Sequence, residues 1–239
     1  MFTKTSSQPS HLVGAQMPTK LSRFCEGIIE AAWIVAVILV PVFFNVFSSR
    51  IFEPDKITIL RSLALLILGA WIVKLVEEGK PRLQTQGSHE SWFQALMRIP
   101  LLPQAIMLAA IYILSTIFSV TPRASLWGSY QRLQGTYTTL SYLVIFAALI
   151  ATLRRREQID RLVTSLIISS VPVVLYGFLQ RYQLDPIPWG GDTSTRIAAN
   201  MGNSIFVAAY LIMVWPLTMG RVIESFRSIL QPEERLPIH

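Results

Sequence analysis

The chain has 239 residues, of which 52 % are apolar and 15 % charged, with a mean hydropathy of +0.47. A soluble domain carries about 25 % charged residues, so this composition excludes an ordinary soluble surface and, equally, an intrinsically disordered chain. The net charge of +7 and pI near 9.9 would suggest nucleic acid in a soluble protein. Here the basic residues fall between apolar runs, which is a membrane-topology pattern, and no nucleic-acid partner is expected. The single cysteine, Cys25, excludes an internal disulfide and a multi-cysteine metal site. His11, His89 and His239 all lie outside the apolar runs, so no histidine-ligated haem, no metal and no other cofactor is expected.

The first residues, 1–24, read as a polar tail rich in Ser, Thr, Gln and Pro. With no apolar core it is not a signal peptide, and the first apolar run is expected to remain as an anchor. Six runs approach the roughly 20 apolar residues a bilayer core requires, near 28–48, 57–76, 101–120, 137–153, 162–180 and 203–220. They predict an all-α integral membrane protein, a bundle of six transmembrane helices over 25–222, followed by a tail at 223–239. With both termini in the cytoplasm, the inner segments carry 14 Lys and Arg and the outer ones 7, from an inventory of 21. That split favours the both-termini-inside topology. Arg154-Arg155-Arg156 is its strongest single signal and also suits anionic lipid. The inner loop Glu77–Pro100 reads as a linker ending in a short interfacial helix, Trp92–Arg98.

Few polar residues interrupt the spans. Glu26 and Glu30, four apart on one helix face, either hold a cation or meet water and a neighbouring Arg. Arg61 and Lys74 lie near the two ends of the second span and are expected to snorkel. Pro103, Pro172 and Pro216 mark kinks or helix starts. Packing is expected to use Gly69-Ala70, Ala109-Ala110, Ala147-Ala148 and Ala208-Ala209. No acidic residue lies deep in a later span and no inverted repeat is visible, which disfavours a pump or transporter.

Two outer loops concentrate the chemistry. Trp127-Gly128-Ser129-Tyr130-Gln131-Arg132-Leu133-Gln134-Gly135 sets aromatic rings, amides and an Arg just above a span. Trp127, Tyr130, Gln131 and, in the next loop, Trp189 are candidate loop contacts to a sugar or a partner. The ordinary alternative is an aromatic belt with a glycine turn. The loop at 181–202 places Arg196 before the sixth span, with Asn200, Asn203 and Ser204 close behind. A cation and free backbone N–H groups at a helix entrance make an anion site, for a lipid diphosphate or an ordinary headgroup phosphate. No HExxH, P-loop, GxSxG or CxxC motif is present, and no catalytic residue is assigned.

From about Arg50 to Gly220 the chain resembles the N-terminal half of the O-antigen ligase and polymerase superfamily of bacterial membrane glycosyltransferases. The resemblance rests on the Trp127–Gly135 segment and on Tyr176-Gly177-Phe178-Leu179-Gln180 followed by Asp185-Pro186. It rests also on Arg196…Gly202-Asn203-Ser204…Ala208-Ala209-Tyr210-Leu211. It implies a bacterial inner-membrane protein and an undecaprenyl diphosphate-linked glycan, with Arg196 as first diphosphate contact and Arg132 as second. The family's Gly-Asn-Pro-Asn is Gly202-Asn203-Ser204-Ile205 here. The family's second half, with an external catalytic His, has no counterpart before His239. Two expectations follow. The chain is a non-catalytic accessory subunit that packs against other integral membrane subunits and touches lipid, a respiratory or photosynthetic electron-transfer complex being one conceivable host. Alternatively, it is part of an undecaprenyl diphosphate-dependent ligase or polymerase.

Overall fold

A computed structural model describes residues 19–47, 52–78, 99–153, 155–187, 192 and 194–230. Among them every regular element is a helix: α1 (Lys20–Val42), α2 (Glu53–Glu78), α3 (Leu102–Ile117), α4 (Pro122–Trp127), α5 (Thr136–Thr152), α6 (Arg156–Arg181), a 3-10 turn (Ala199–Met201) and α7 (Ser204–Leu230). Four of these, α1, α2, α6 and α7, are long and apolar enough to cross a membrane. The chain is therefore a plausible multi-pass membrane protein. α3 and α5 are equally apolar but shorter, with 16 and 17 residues.

Helix limits differ from the apolar limits because polarity does not end a helix; caps and breakers do. α1 starts at Lys20 because the Thr19 hydroxyl accepts the Ser22 backbone N–H at 3.1 Å. It ends at Val42, just past Pro41, where Phe43 turns extended. α6 starts at Arg156, six residues before the apolar run expected there, and α7 continues to Leu230, through what reads as the start of a polar tail. The expected interfacial helix Trp92–Arg98 lies outside the described residues.

α1 is the central element. Its buried positions Cys25, Ile29, Ala32 and Ala36 recur at steps of four, three and four, and those of α2, Ile57, Leu60, Ala64 and Ile67, at three, four and three. This is the spacing of a coiled-coil seam, and small residues on both helices let them approach closely. They run antiparallel: Lys74 near the end of α2 pairs with Glu26 near the start of α1, and Lys56 at the other end reaches the Pro41 carbonyl. Ile145 and Ala148 of α5 complete this core around the fully buried Trp33. A second core joins α6 to α7 through Val173, Val207, Tyr210 and Val214. Ser165, Ser169 and Gly177 keep the buried face of α6 narrow, and the Ser169 and Tyr210 hydroxyls meet at 2.6 Å.

The expected alanine pairs sort unevenly. Ala70 and Ala148 are buried, but Gly69, Ala208 and Ala209 face outward, as does Ala110. Successive residues sit about 100° apart around a helix, so a pair such as Gly69-Ala70 splits between faces while Ala208-Ala209 both lie on the outer side. Glu26 and Glu30 do not act as a pair: Glu26 is taken by Lys74, and Glu30 by Arg161 at 2.8 Å. Arg221 joins Asp160 at 2.7 Å on the same end of the bundle. These three ion pairs lie at the end opposite to Phe43–Phe47, the segment 118–135 and the segment 194–203.

Trp33 is buried completely and its indole N–H has no acceptor among the described residues. Replacing it by Phe removes a stranded donor and keeps most of the volume, so Trp33→Phe should leave thermal stability in detergent unchanged or raised. Trp33→Ala should cost about 3–5 kcal/mol through the cavity. A Phe variant as unstable as the Ala variant would contradict this.

Candidate functional site

The loop end is organised around a residue that sits on an apolar seam. Arg61 follows Leu60 on the buried stripe of α2 and is 7 % exposed. Its Nη2 donates to the carbonyls of Trp127 at 3.0 Å and Leu133 at 2.6 Å, and its Nε and Nη2 donate to the Thr138 hydroxyl at 3.0 and 2.7 Å. Thr138 in turn donates to the Leu133 carbonyl at 2.6 Å. The guanidinium lies 4.6 Å from the centre of the Tyr137 ring and 5.9 Å from that of Trp127, and the two rings meet edge to face. The expected snorkelling of Arg61 is therefore overturned. Its charge faces inward because carbonyl dipoles and ring faces replace the water it would otherwise seek.

The loop Gly128–Gly135 is shaped to deliver those carbonyls. Gly128 has φ +83°, and a Cβ there would lie 2.5 Å from the Leu133 and Gln134 backbone. A Cβ on Gly135 would lie 2.4 Å from the Gly128 nitrogen. Two glycines thus let the loop's ends touch, a role for this pair that loop chemistry alone did not reveal. Leu133 is held at φ 52°, a left-handed conformation costly for a branched side chain, with its carbonyl on Arg61. What the loop presents outward is polar: Tyr130, Gln131 and Arg132 are exposed. Trp127 is half exposed. Arg132 lies 4.0 Å from Glu53, a loose surface pair.

The third loop is tied down by two buried side chains and a half-buried lysine. Gln180, on the buried stripe of α6, accepts the backbone N–H groups of Ala198 and Ala199 at 3.2 and 2.7 Å and donates to the Ala199 carbonyl at 3.3 Å. Asn200 is 3 % exposed, and its amide nitrogen donates to the Pro41 and Val42 carbonyls at 2.6 and 2.7 Å. These are end-of-helix carbonyls with no partner inside α1. Lys56 bridges the same region, donating to the carbonyls of Pro41 at 3.1 Å and Asn200 at 3.0 Å. Asn200, expected as a lipid contact, thus faces the end of α1 with its donors engaged. Gly202, at φ +75°, packs directly under the Phe52 ring, where a Cβ would lie within 2.4 Å.

Arg196 and Asn203 remain at the surface. Asn203 caps α7, its side chain accepting the Ile205 N–H at 2.9 Å. Arg196 reaches the Ser204 hydroxyl at 3.4 Å. The two therefore meet at the first turn of α7, while Arg132 belongs to the neighbouring loop. Tyr176 donates to Asp185 of the quoted segment at 2.6 Å, and a Cβ added at Gly177 would lie 3.1 Å from the Ile197 side chain. Trp189 lies outside the described residues. Among those described, no three His, Cys, Asp or Glu side chains converge as metal ligands. No protein-family model matches this chain, nor does any curated protein or solved structure.

Arg61, Gln180 and Lys56 were the residues that loop chemistry missed. Arg61 was detectable, because its position continues the 57, 60, 64, 67 seam, where an exposed cation has no place.

Two predictions follow from these contacts. Arg61→Met should strand the Trp127 carbonyl, at about 1–3 kcal/mol, and leave the Leu133 carbonyl to Thr138 and the Gly135 N–H. It should also open Gly128–Gly135 to limited proteolysis, whereas Arg132→Met should do neither. Separately, hydrogen bonds from the Ser194 and Thr195 side chains and the Ser194 backbone hold the exposed Asp192 carboxyl down, at about 2. This turn should persist at pH values above the usual carboxylate range and be lost only as pH falls through about 2. Carboxyl-carbon NMR of the labelled aspartate reads the midpoint, and an ordinary value near 3.8 would contradict the turn.

Proposed function

We propose that this chain is a non-catalytic subunit of a larger complex in a bacterial inner membrane. In this reading six helices cross the bilayer with both termini in the cytoplasm. α3 and α5 would rise about 24–26 Å, slightly less than the hydrocarbon core, a mismatch met by local thinning of the bilayer. The three loops that converge at one end then face outward.

The observation that carries the proposal is the engagement of the loop end's strongest donors inside the fold. Arg61 and Asn200 are turned to backbone carbonyls. Arg132 and Arg196 remain as separate exposed cations, on different loops, suited to single headgroup phosphates. α3 adds support. It has no buried residue and packs along α5 and α4, leaving Ile106, Met107, Ile111, Leu114 and Ile117 open to lipid or to a neighbouring subunit.

A second reading has one observation in its favour. Arg196, Asn203 and Ser204 gather at the amino-terminal turn of α7, where anions are favoured. On that reading the chain is part of a glycosyltransferase that holds an undecaprenyl diphosphate-linked glycan.

Purification from the native membrane in mild detergent, with mass spectrometry of proteins and lipids, separates the two. A fixed set of unrelated membrane subunits, unchanged by Arg196→Ala, is the expected result. A chain that travels without such subunits and carries undecaprenyl diphosphate, lost on Arg196→Ala, would overturn the accessory role in favour of the enzyme.

A further inference from the structure

Arg61 carries a full charge, is 7 % exposed and joins no ion pair among the described residues. Carbonyl dipoles and ring faces replace its hydration but do not cancel the charge, and buried charges are ordinarily paired. Its hydrogen bonds use Nε and Nη2, and all go to Trp127, Leu133 and Thr138. Nη1 bonds to nothing among the described residues, yet it is not sealed inside the fold. One edge of the guanidinium is thus satisfied by the loop, and the other is not.

A second donor stands beside that edge. Tyr142 lies four residues beyond Thr138, on the same face of α5. Helical side chains lean toward the amino end of their helix, which brings the Tyr142 hydroxyl back toward Arg61. The two residues are electrostatic neighbours. Tyr142 is 49 % exposed, and its hydroxyl bonds to nothing among the described residues. On α2, Thr58 and Leu65, one turn to either side of Arg61, are exposed as well, so this edge of the α2–α5 contact is uncovered. Glu53, the carboxylate that also acts on Tyr142, faces Arg132 at 4.0 Å and makes no ion pair with Arg61.

We propose that Arg61 and Tyr142 hold a phosphate group at the edge between α2 and α5. A tetrahedral oxyanion brings the missing counter-charge, one acceptor for Nη1 and another for the hydroxyl. A phospholipid headgroup is the nearest source. Arg61 lies two turns inside α2, but through Thr138 it is level with the first turn of α5. In the reading above, the bilayer thins beside α5, which draws headgroups down to that level. The choice of source rests on that reading; the need of Arg61 for an anion does not. Neither depends on which other subunits travel with the chain.

Thermal unfolding of the full-length chain, stripped of lipid in an uncharged detergent, tests the site. Phosphatidylglycerol should raise the melting temperature, and a diacylglycerol with the same acyl chains should not. Tyr142→Phe breaks no internal hydrogen bond. It should leave the lipid-free melting temperature unchanged and weaken the apparent affinity for phosphatidylglycerol several-fold. Tyr142→Glu places a tethered counter-ion beside Arg61, so it should raise the lipid-free melting temperature and abolish the lipid effect. Arg132→Ala and Arg196→Ala should retain the effect. Inorganic phosphate, titrated against chloride at equal ionic strength, separates the two sources. A shift with phosphatidylglycerol alone assigns the site to a headgroup, and a shift with inorganic phosphate alone keeps the anion site but overturns the headgroup as its occupant. No shift with either overturns the proposal. So does a lipid effect that diacylglycerol matches, or one that both Tyr142 variants leave intact.

Discussion

The loop end depends on one buried cation. Arg61 enters from α2 and gathers two carbonyls, one hydroxyl and two aromatic faces. Thereby the Trp127–Gly135 loop, the start of α5 and the seam of α2 become one unit. A charge in an apolar seam is costly unless all its donors find acceptors. Here the acceptors come from a loop whose backbone is bent for the purpose, with Gly128 and Gly135 in contact and Leu133 left-handed. The hydrogen bonds between them offset both the strain and the burial of the charge, and neither feature would persist alone.

The third loop follows the same physical rule with neutral groups. Pro41 and Val42 leave carbonyls open at the end of α1, and Asn200, which is 144 positions from Lys56 along the chain, shares with it the task of covering them. Gln180 pairs with the backbone of the 3-10 turn that presents Asn200. Side chains that look like ligand groups in a loop thus serve the backbone, because buried carbonyls and N–H groups far from water must be paired. Arg132 and Arg196, by contrast, stay at the surface, near Glu53 and Ser204 respectively.

At the opposite end the chemistry is ionic. Glu26 and Glu30 share a helix face but are drawn to different cations, one on α2 and one on α6. Asp160–Arg221 adds a third pair, joining the start of α6 to α7.

Much was legible in the sequence because apolar length and 3.6-residue periodicity are local properties. The helical class and the approximate position of each apolar helix follow from the pattern of apolar residues. The surface positions of Arg132, Arg196 and Asn203 were legible too, since each lies in a polar segment. What only the tertiary structure decided was which polar groups turn inward. Arg61 and Asn200 are chemically equal to their exposed neighbours. Their burial depends on carbonyls contributed by residues some 70 to 160 positions away, and no local window holds both partners. The same is true of the alanine pairs: composition offers small residues, but the rotation of each helix in the bundle chooses which of two adjacent residues meets a neighbour.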